Sequence, residues 1–305
     1  MTDQEKEIVV SIEIEEGYRF KRFIEAFSSM IYRATVEFDK FGMFIIAVSE
    51  GRIGYTEFNL PKSYFTNYDC AVSTEIIENE NGEEEEIGKT VSIDLNIVDF
   101  NKVLSGCGKN DSITIEFAKI PIEDEETEEV ILQQDNKITI KMRGETENGR
   151  IRTRRFRLAL EELPEEFKID GKMQLDELYI WKAKMEYSIL KDVVEDADKV
   201  SEKLEIEIED ESKIKVFAGA ILGDYEEELE GEGIEITLID GAESQLYDAT
   251  FPIEQLKATI KMAEESEGDF IVQFGYREDE PCPIRFRMSV LGEGIMDYYV
   301  APMND

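Results

Sequence analysis

Apolar residues along this chain keep two rhythms, and the rhythms change over in the same order twice. IVVSIEIE at 8–15 alternates with period 2 and predicts a strand. Phe20, Phe23, Ile24, Phe27 and Ile31 then recur at i, i+3, i+4 and i+7, which predicts a helix over about 18–31. ATVEF, GMFIIAVS and IGYTEFNL return to strand character, broken by Gly42, Gly51 and Gly54. A short helix is predicted from about Asn96 to Leu104, and SITIEF (112–117) and KITIKMR (137–143) are predicted as strands. Past residue 178 the order recurs. A strand near 179–187 leads to a helix at about 189–200, then KLEIEIE, KIKVFAG and GIEITLI as strands, and a short helix from Ile253 to Met262. DFIVQFGY, PIRFRMSV and MDYYVAP complete the pattern.

The two halves superpose by number. Phe20, Phe23, Ile24, Phe27, Val36, Phe38, Phe44 and Ile46, each advanced by 170, become Leu190, Val193, Val194, Ala197, Ile206, Ile208, Ile214 and Val216. Every position stays apolar. Ile97, Phe100, Leu104 and Phe117 likewise match Ile253, Leu256, Ile260 and Phe274, with the helix offset now 156. Self-similarity of this kind fixes an architecture, here two copies of one α+β unit. The offsets differ by about 14, so the first copy carries an insertion near 75–89, EIIENENGEEEEIGK. With no hydrophobic period it is expected to be a solvated loop. IEDEETEE (122–129) is a second acidic run. The expected domains are 1–157 and 178–305. Between them 158–177 is read as an acidic connecting loop punctuated by Pro164 and Gly171.

Composition then narrows the chemistry. The chain has 305 residues, and 42% hydrophobic content supports two real cores. It has no histidine, which removes the commonest general base and zinc ligand. Cys70, Cys107 and Cys282 are odd in number and widely spaced, so neither a disulfide framework nor a CxxC metal site is present. Gly88-Lys89-Thr90 lacks the glycine five residues earlier that a phosphate loop needs. Acidic residues form no calcium-binding ladder, and no carboxylate pair stands out as catalytic. The reading is a protein that is not an enzyme and needs no cofactor or metal. No apolar run reaches membrane-spanning length and no signal segment follows MTDQEKE, which points to an intracellular, cytoplasmic protein, nuclear in a eukaryote, with no membrane partner.

The formal net charge is −37. Charge of that size mainly confers solubility and opposes indiscriminate contact with nucleic acid. Its few cations are nonetheless placed with a pattern. With about 100° of turn per residue, Arg22 lies opposite the apolar stripe of the first helix, and Arg19 and Lys21 flank it. Lys102 lies opposite Ile97 and Leu104, and Lys199 opposite Leu190 and Val194 with Lys191 beside it. Lys261 sits on the polar side of the last helix and Lys257 at its edge. Each taken singly is an ordinary surface cation. Taken with the repeat, they make one helix-lined surface facing a polyanion, weakened in the second copy by Asp192, Glu195, Asp196 and Asp198. RIRTRRFR (150–157) is a basic strand read as balancing nearby acid.

FKRFIEAF at 20–27, FNKVLSGCGKNDSITIEF at 100–117, LKDVVEDADKVSEKLEIEIED at 190–210 and DYYVAP at 297–302 resemble the sliding clamps of the proliferating cell nuclear antigen type, archaeal members in particular. The likeness runs through nearly the whole chain. It implies a ring of three two-domain subunits around double-stranded DNA, either a homotrimer or a heterotrimer of related subunits, with helices lining the channel and antiparallel sheets outside. It implies a processivity factor that docks DNA polymerase, clamp loader, nuclease and ligase through short peptides. Arg19, Lys21, Arg22, Lys102, Lys191, Lys199, Lys257 and Lys261 would then face DNA. Val48, Arg52, Ile53, Leu163, Pro164, Pro283, Ala301 and Pro302 match the family's peptide-binding positions. The subunit interface would join 137–143, with Ile138, Ile140 and Met142, to 223–230 of the neighbour, with Tyr225 and Leu229. The rival readings are an acidic, non-catalytic interaction protein such as a DNA mimic, and a carboxylate-based hydrolase.

Overall fold

The computed structural model describes residues 7–49, 51–71, 74–78, 84–88, 90–123, 130–146, 148–164, 167, 175–221, 223–277 and 280–303. They divide into two compact units. The first falls within Met1–Glu25, Arg33–Ile45 and Asn59–Lys168; the second within Ala26–Tyr32, Ile46–Phe58 and Ile169–Asp305.

In the first half of the chain the elements run β1 (Glu7–Ile14), α1 (Gly17–Phe27), β2 (Arg33–Phe38), β3 (Gly42–Val48), β4 (Gly54–Pro61), β5 (Asn67–Cys70), β6 (Thr74–Glu78), β7 (Glu84–Gly88), β8 (Val91–Asn96), α2 (Ile97–Leu104), β9 (Ser112–Glu123), β10 (Val130–Gln134), β11 (Lys137–Glu145) and β12 (Ile151–Ala159). One antiparallel sheet of the first unit has the order β12-β11-β9-β1-β5, with β10 also on β9, while β2 pairs with β8. Helix α2 starts where Asn96 accepts a hydrogen bond from the Asp99 amide at 3.0 Å, an N-cap that satisfies one of the free amides of the first turn. Helix α1 starts at Gly17, whose amide donates to the Asp111 carbonyl at 3.1 Å. A side chain there would meet that carbonyl oxygen at 2.4 Å, so only glycine fits. Phe20 and Phe100 bring the two helices together edge to face, with ring centroids 6.4 Å apart.

The later elements are β13 (Tyr179–Met185), α3 (Tyr187–Ala197), β14 (Lys203–Asp210), β15 (Lys213–Ala220), β16 (Gly223–Leu229), β17 (Ile234–Leu238), β18 (Tyr247–Pro252), α4 (Ile253–Ala263), β19 (Ser266–Arg277), β20 (Glu280–Pro281), β21 (Ile284–Val290) and β22 (Gly294–Val300). They build a sheet containing β17-β13-β19-β21-β22 and a four-stranded sheet β16-β15-β14-β18. Buried Leu190, Val193, Val194 and Ala197 of α3 face inward with Leu256 and Ile260 of α4. The fold is α+β, as the two rhythms require.

The repeat holds at the helices. Advancing Gly17–Phe27 by 170 gives Tyr187–Ala197, and Ile97 plus 156 is Ile253, the first residue of α4. It slips at one strand. In β3 Met43, Ile45, Ile46 and Ala47 are buried and Phe44 is half-buried, and the alternating set Met43, Ile45 and Ala47 matches buried Ile214, Val216 and Ala218 at an offset of 171. The extra residue lies in the second copy, where the β14–β15 pairing shifts between Ile208 and Asp210. A bulge absorbs a residue in this way and keeps both flanking faces correct.

Other boundaries differ from expectation. Helix α1 stops at Phe27 rather than Ile31, which is buried beyond the helix, and Lys199 lies in the turn after α3 rather than within it. The acidic insertion is not a loop throughout. Strands β6 and β7 pair with each other from Thr74↔Gly88 to Glu78↔Glu84 and form a hairpin, whose tip at 79–83 is outside the described residues. In the second acidic run Ile122 and Glu123 end β9, and 124–129 lie outside the described residues. The strand read as an open edge, Lys137–Arg143, is interior. It is hydrogen-bonded to β12 on one side and β9 on the other, and Ile138, Ile140 and Met142 are core residues of their own unit. The edge strand is β12.

Candidate functional site

Two groups of residues carry the functional expectations. The first is the cations of the helices. On α1, Arg22 is exposed, Arg19 reaches Glu16 at 3.2 Å, and Lys21 lies over the Tyr18 ring at 5.3 Å. On α2, Lys102 is exposed and its ammonium donates to Asp99 one turn back at 2.7 Å. Lys199 holds Asp196 in the same i, i+3 relation. Such surface pairs are weak and are screened by salt. Two further pairs tie α3 and its following turn to α4: Lys191 donates to Glu264 at 2.7 Å, and Lys257 is bonded to Asp198. The acid partner raises the pKa of Lys191 through its hydrogen bond, and Asp196 does the same for Lys199. Lys261 is exposed and makes no ion pair among the described residues.

The helices therefore differ in what they present. Helix α1 carries three cations against one acid, in GYRFKRFIEAF. The outward residues of α3 include Asp192, Glu195 and Asp196, all exposed. A polyanion approaching α3 must displace acids from the lysines or accept a mixed field. A polyanion approaching α1 meets a net positive face.

The second group lies on β3, β4, β22 and the loop after Val48. The loop closes tightly. The Ser49 amide donates to the Gly54 carbonyl at 2.8 Å, and the Gly54 amide returns to the Ser49 hydroxyl at 2.9 Å. Arg52 takes a left-handed φ of 55° and is exposed, leaving Ile53 partly exposed beside it. Gly54 packs on Tyr298; a β-carbon there would sit 2.2 Å from the Tyr298 hydroxyl. That hydroxyl donates to Gln255 of α4 at 2.7 Å. The Ala301 amide donates to the Ile53 carbonyl at 2.8 Å, and the Thr56 hydroxyl donates to the Asp297 carbonyl at 3.2 Å. Ile53 and Ala301 are thus joined by a backbone hydrogen bond on the second unit, and Val48 ends β3 just before the loop. Pro302 also lines a cavity of about 380 Å³ with Asp248, Ala249, Thr250, Pro281 and Met303. Pro283 is half-buried and its carbonyl accepts from the Tyr179 hydroxyl at 3.1 Å.

Leu163 and Pro164 belong to the first unit. Leu163 is buried and its amide donates to Asp94 at 3.0 Å, so it pins its segment to the body rather than presenting an open apolar face. This is the structural alternative to a binding role. Pro164 is half-buried and its carbonyl accepts from the Phe167 amide at 2.8 Å.

Sequence reasoning missed the charged cluster behind β22. Asp297 is buried and receives both Arg285 and Arg287, each through two nitrogens at 2.8–3.0 Å. Burial works against the Arg285 charge, but the Asp297 hydrogen bonds outweigh it and hold the guanidinium protonated. The signal was the RFR run facing MDY across a short turn. Tyr225 and Leu229 do lie on an edge, because β16 pairs only with β15 among the described residues. The basic run is balanced in part as expected, since Arg154 binds Asp111 and Arg157 binds Asp135.

Residues 9–146 match the family model described as proliferating cell nuclear antigen, N-terminal domain. The match runs from within β1 to just past the end of β11, less than half of the chain, and shows what this stretch is similar to. No curated protein matches the sequence. Among the described residues no helix is long and apolar enough to cross a membrane.

Proposed function

We propose that this chain is a DNA sliding clamp, an intracellular processivity factor of archaeal type that closes into a ring of three around duplex DNA. The observation that carries the reading is the family match on the first unit together with the second unit's repetition of its helices at fixed offsets. A protein built of equivalent units closes a circle with fewer distinct contacts than one built of unlike units. The cations of α1, α2 and α4 then meet phosphate loosely. Weak, salt-dependent contact is sufficient, because a closed ring holds DNA by topology. The surface around Val48, Ile53, Ala301 and Pro302 takes the aliphatic anchor and aromatics of partner peptides. Tethering a polymerase, nuclease or ligase there raises its effective concentration at DNA. The chain itself performs no catalysis.

The test is retention of the clamp on closed circular DNA and its loss once that circle is cut, with processive extension by its polymerase read in parallel. Reversing Arg22 and Lys261 to Glu should shorten extension products while leaving the circular dichroism spectrum unchanged; full-length products would sink the assigned DNA face. Equal retention on circular and linear DNA would sink the ring. The exposed acids of α3 favour a second reading, an acidic protein that mimics DNA, which predicts inhibition of DNA-binding enzymes by a monomer.

A further inference from the structure

The surface around Ile53 and Ala301 does not stay apolar as it is followed into the sheet. Ile53 stands just before β4 and Ala301 just after β22. Two residues further in along those strands are Tyr55 and Tyr299, with ring centroids 5.4 Å apart. On β21, the next strand, Arg285 stands opposite Tyr299, and its guanidinium lies 5.7 Å from the Tyr299 ring. Tyr55, Tyr299 and Arg285 are all buried. An aromatic pair and a sunken cation thus lie next to the two residues that open the surface.

The donors of Arg285 are held by two unlike partners. Nε and Nη2 donate to the Asp297 carboxylate at 3.0 and 2.8 Å, and this fork fixes the guanidinium plane. Nη1 donates to Asp176. Asp176 belongs to the short turn Asp176–Leu178 ahead of β13, and its side chain stands largely in water. Among the described residues that carboxylate makes no other hydrogen bond or ion pair. The turn itself is held elsewhere. The Tyr179 hydroxyl donates to the Pro283 carbonyl at 3.1 Å, and a side chain at Gly275 would meet the Leu178 carbonyl oxygen at 1.9 Å. Asp297 cannot leave without stranding a buried charge, whereas a water-exposed carboxylate leaves at little cost.

We infer that Nη1 of Arg285 is a carboxylate subsite of the partner-peptide surface, filled by Asp176 in the free protein and by an acidic side chain of the peptide in the complex. The subsite rests on the peptide reading of the surface around Ile53 and Ala301, and it names what that surface selects: an acid placed beside the peptide's aromatics. Two other carboxylates stand near Tyr299, namely Asp297 and Glu57, which accepts from the Tyr55 hydroxyl at 2.7 Å. They oppose any anion added to the place, so an incoming acid must exchange with Asp176 rather than join it. Exchange keeps the charged hydrogen bond to Nη1. A neutral amide in the same position offers a weaker acceptor and cannot displace the resident carboxylate.

Calorimetric titration of the full chain with synthetic peptides tests this. Each peptide carries one leucine and two phenylalanines, and a single Glu is moved through the positions flanking the phenylalanines, always against its Gln counterpart. The parent chain is compared with Asp176→Asn. Removing the resident carboxylate should tighten the best Glu peptide by about tenfold and leave its Gln counterpart within about twofold. Asp176→Glu, which restores an acid to the turn, should return the parent's behaviour. The ratio of the two peptides is the readout, because a variant that merely loosened the turn would move both alike. Equal changes for the Glu and Gln peptides, or no change in either, would overturn the subsite and leave the peptide surface standing. If no peptide binds, or if Ala301→Arg leaves every affinity unchanged, the peptide surface falls and the subsite with it. Asp176 is exposed, and unchanged circular dichroism separates an altered site from lost folding.

Discussion

Replacing Asp297 by alanine should be among the costly single changes in the second unit. The side chains of Arg285 and Asp297 are 6% and 8% exposed, and the carboxylate holds two arginines at once. Without it the Arg285 guanidinium keeps, among the described residues, Asp176, which is 84% exposed and screened by water, and the Tyr299 ring 5.7 Å away. Breaking a buried pair by removing one partner strands the other charge and costs about 3–5 kcal/mol. Arg287 is 43% exposed, so Arg287→Ala should cost no more than about 1 kcal/mol. Asp297→Asn, which keeps an acceptor but loses the charge, should fall between. Trp181 is the single tryptophan of the chain and lies in β13, on the sheet that holds β21 and β22, so its fluorescence reports unfolding of this unit. With a urea slope of about 2 kcal/mol/M, Asp297→Ala should lower the midpoint by about 1.5–2.5 M. A shift below about 0.5 M, or an equal shift for Arg287→Ala, would refute the claim that a buried charge is left stranded.

The strand slip is testable by paired truncation. Ile45→Ala should cost about 2–4 kcal/mol, and Phe44→Ala no more than about 1 kcal/mol, by thermal or urea unfolding followed by circular dichroism. The reverse order would restore the uniform offset of 170. The thiols should be protected: burial pushes Cys107 up to about 11 and Cys282 to about 12, against 9.0 for an ordinary thiol here. Only the thiolate reacts, so alkylation at pH 8 should run about a hundredfold or more slower in the folded protein than in urea, and accelerate as pH approaches 11. Full unfolded-state rates in the native protein would show that the thiols are open.

Much of this was legible in the residues, and the failures have physical causes. The helices were readable because their stripes are strongly periodic and their offset is constant. The face of β3 was not, because Met43 to Ala47 is an unbroken apolar run with no alternation to set its parity, and the turn before it is one residue shorter than its counterpart. The β6–β7 hairpin was hidden by glutamate, a poor strand former whose pairing with a neighbouring strand overrides propensity. The open edge was assigned to β11 rather than β12 because alternation of Ile138, Ile140 and Met142 reveals a half-buried strand but not how many neighbours it has. The Asp99–Lys102 and Asp196–Lys199 pairs were readable from i, i+3 spacing. Lys191–Glu264 and Lys257–Asp198 join residues far apart in sequence and needed the fold.

Strand β12 carries Arg152, Arg154, Arg155 and Arg157, and β16 carries Asp224, Glu226, Glu227 and Glu228, and these opposite signs restrict the symmetry of any assembly the two edges form. A two-fold dimer would set β12 against β12, arginine on arginine, or β16 against β16, glutamate on glutamate, and both are repulsive. Only unlike edges attract, so each added copy leaves the same unlike pair unsatisfied at the ends of the growing chain. Such growth has no natural stop short of meeting its own beginning. Closure, rather than saturation of a single contact, is then what ends assembly.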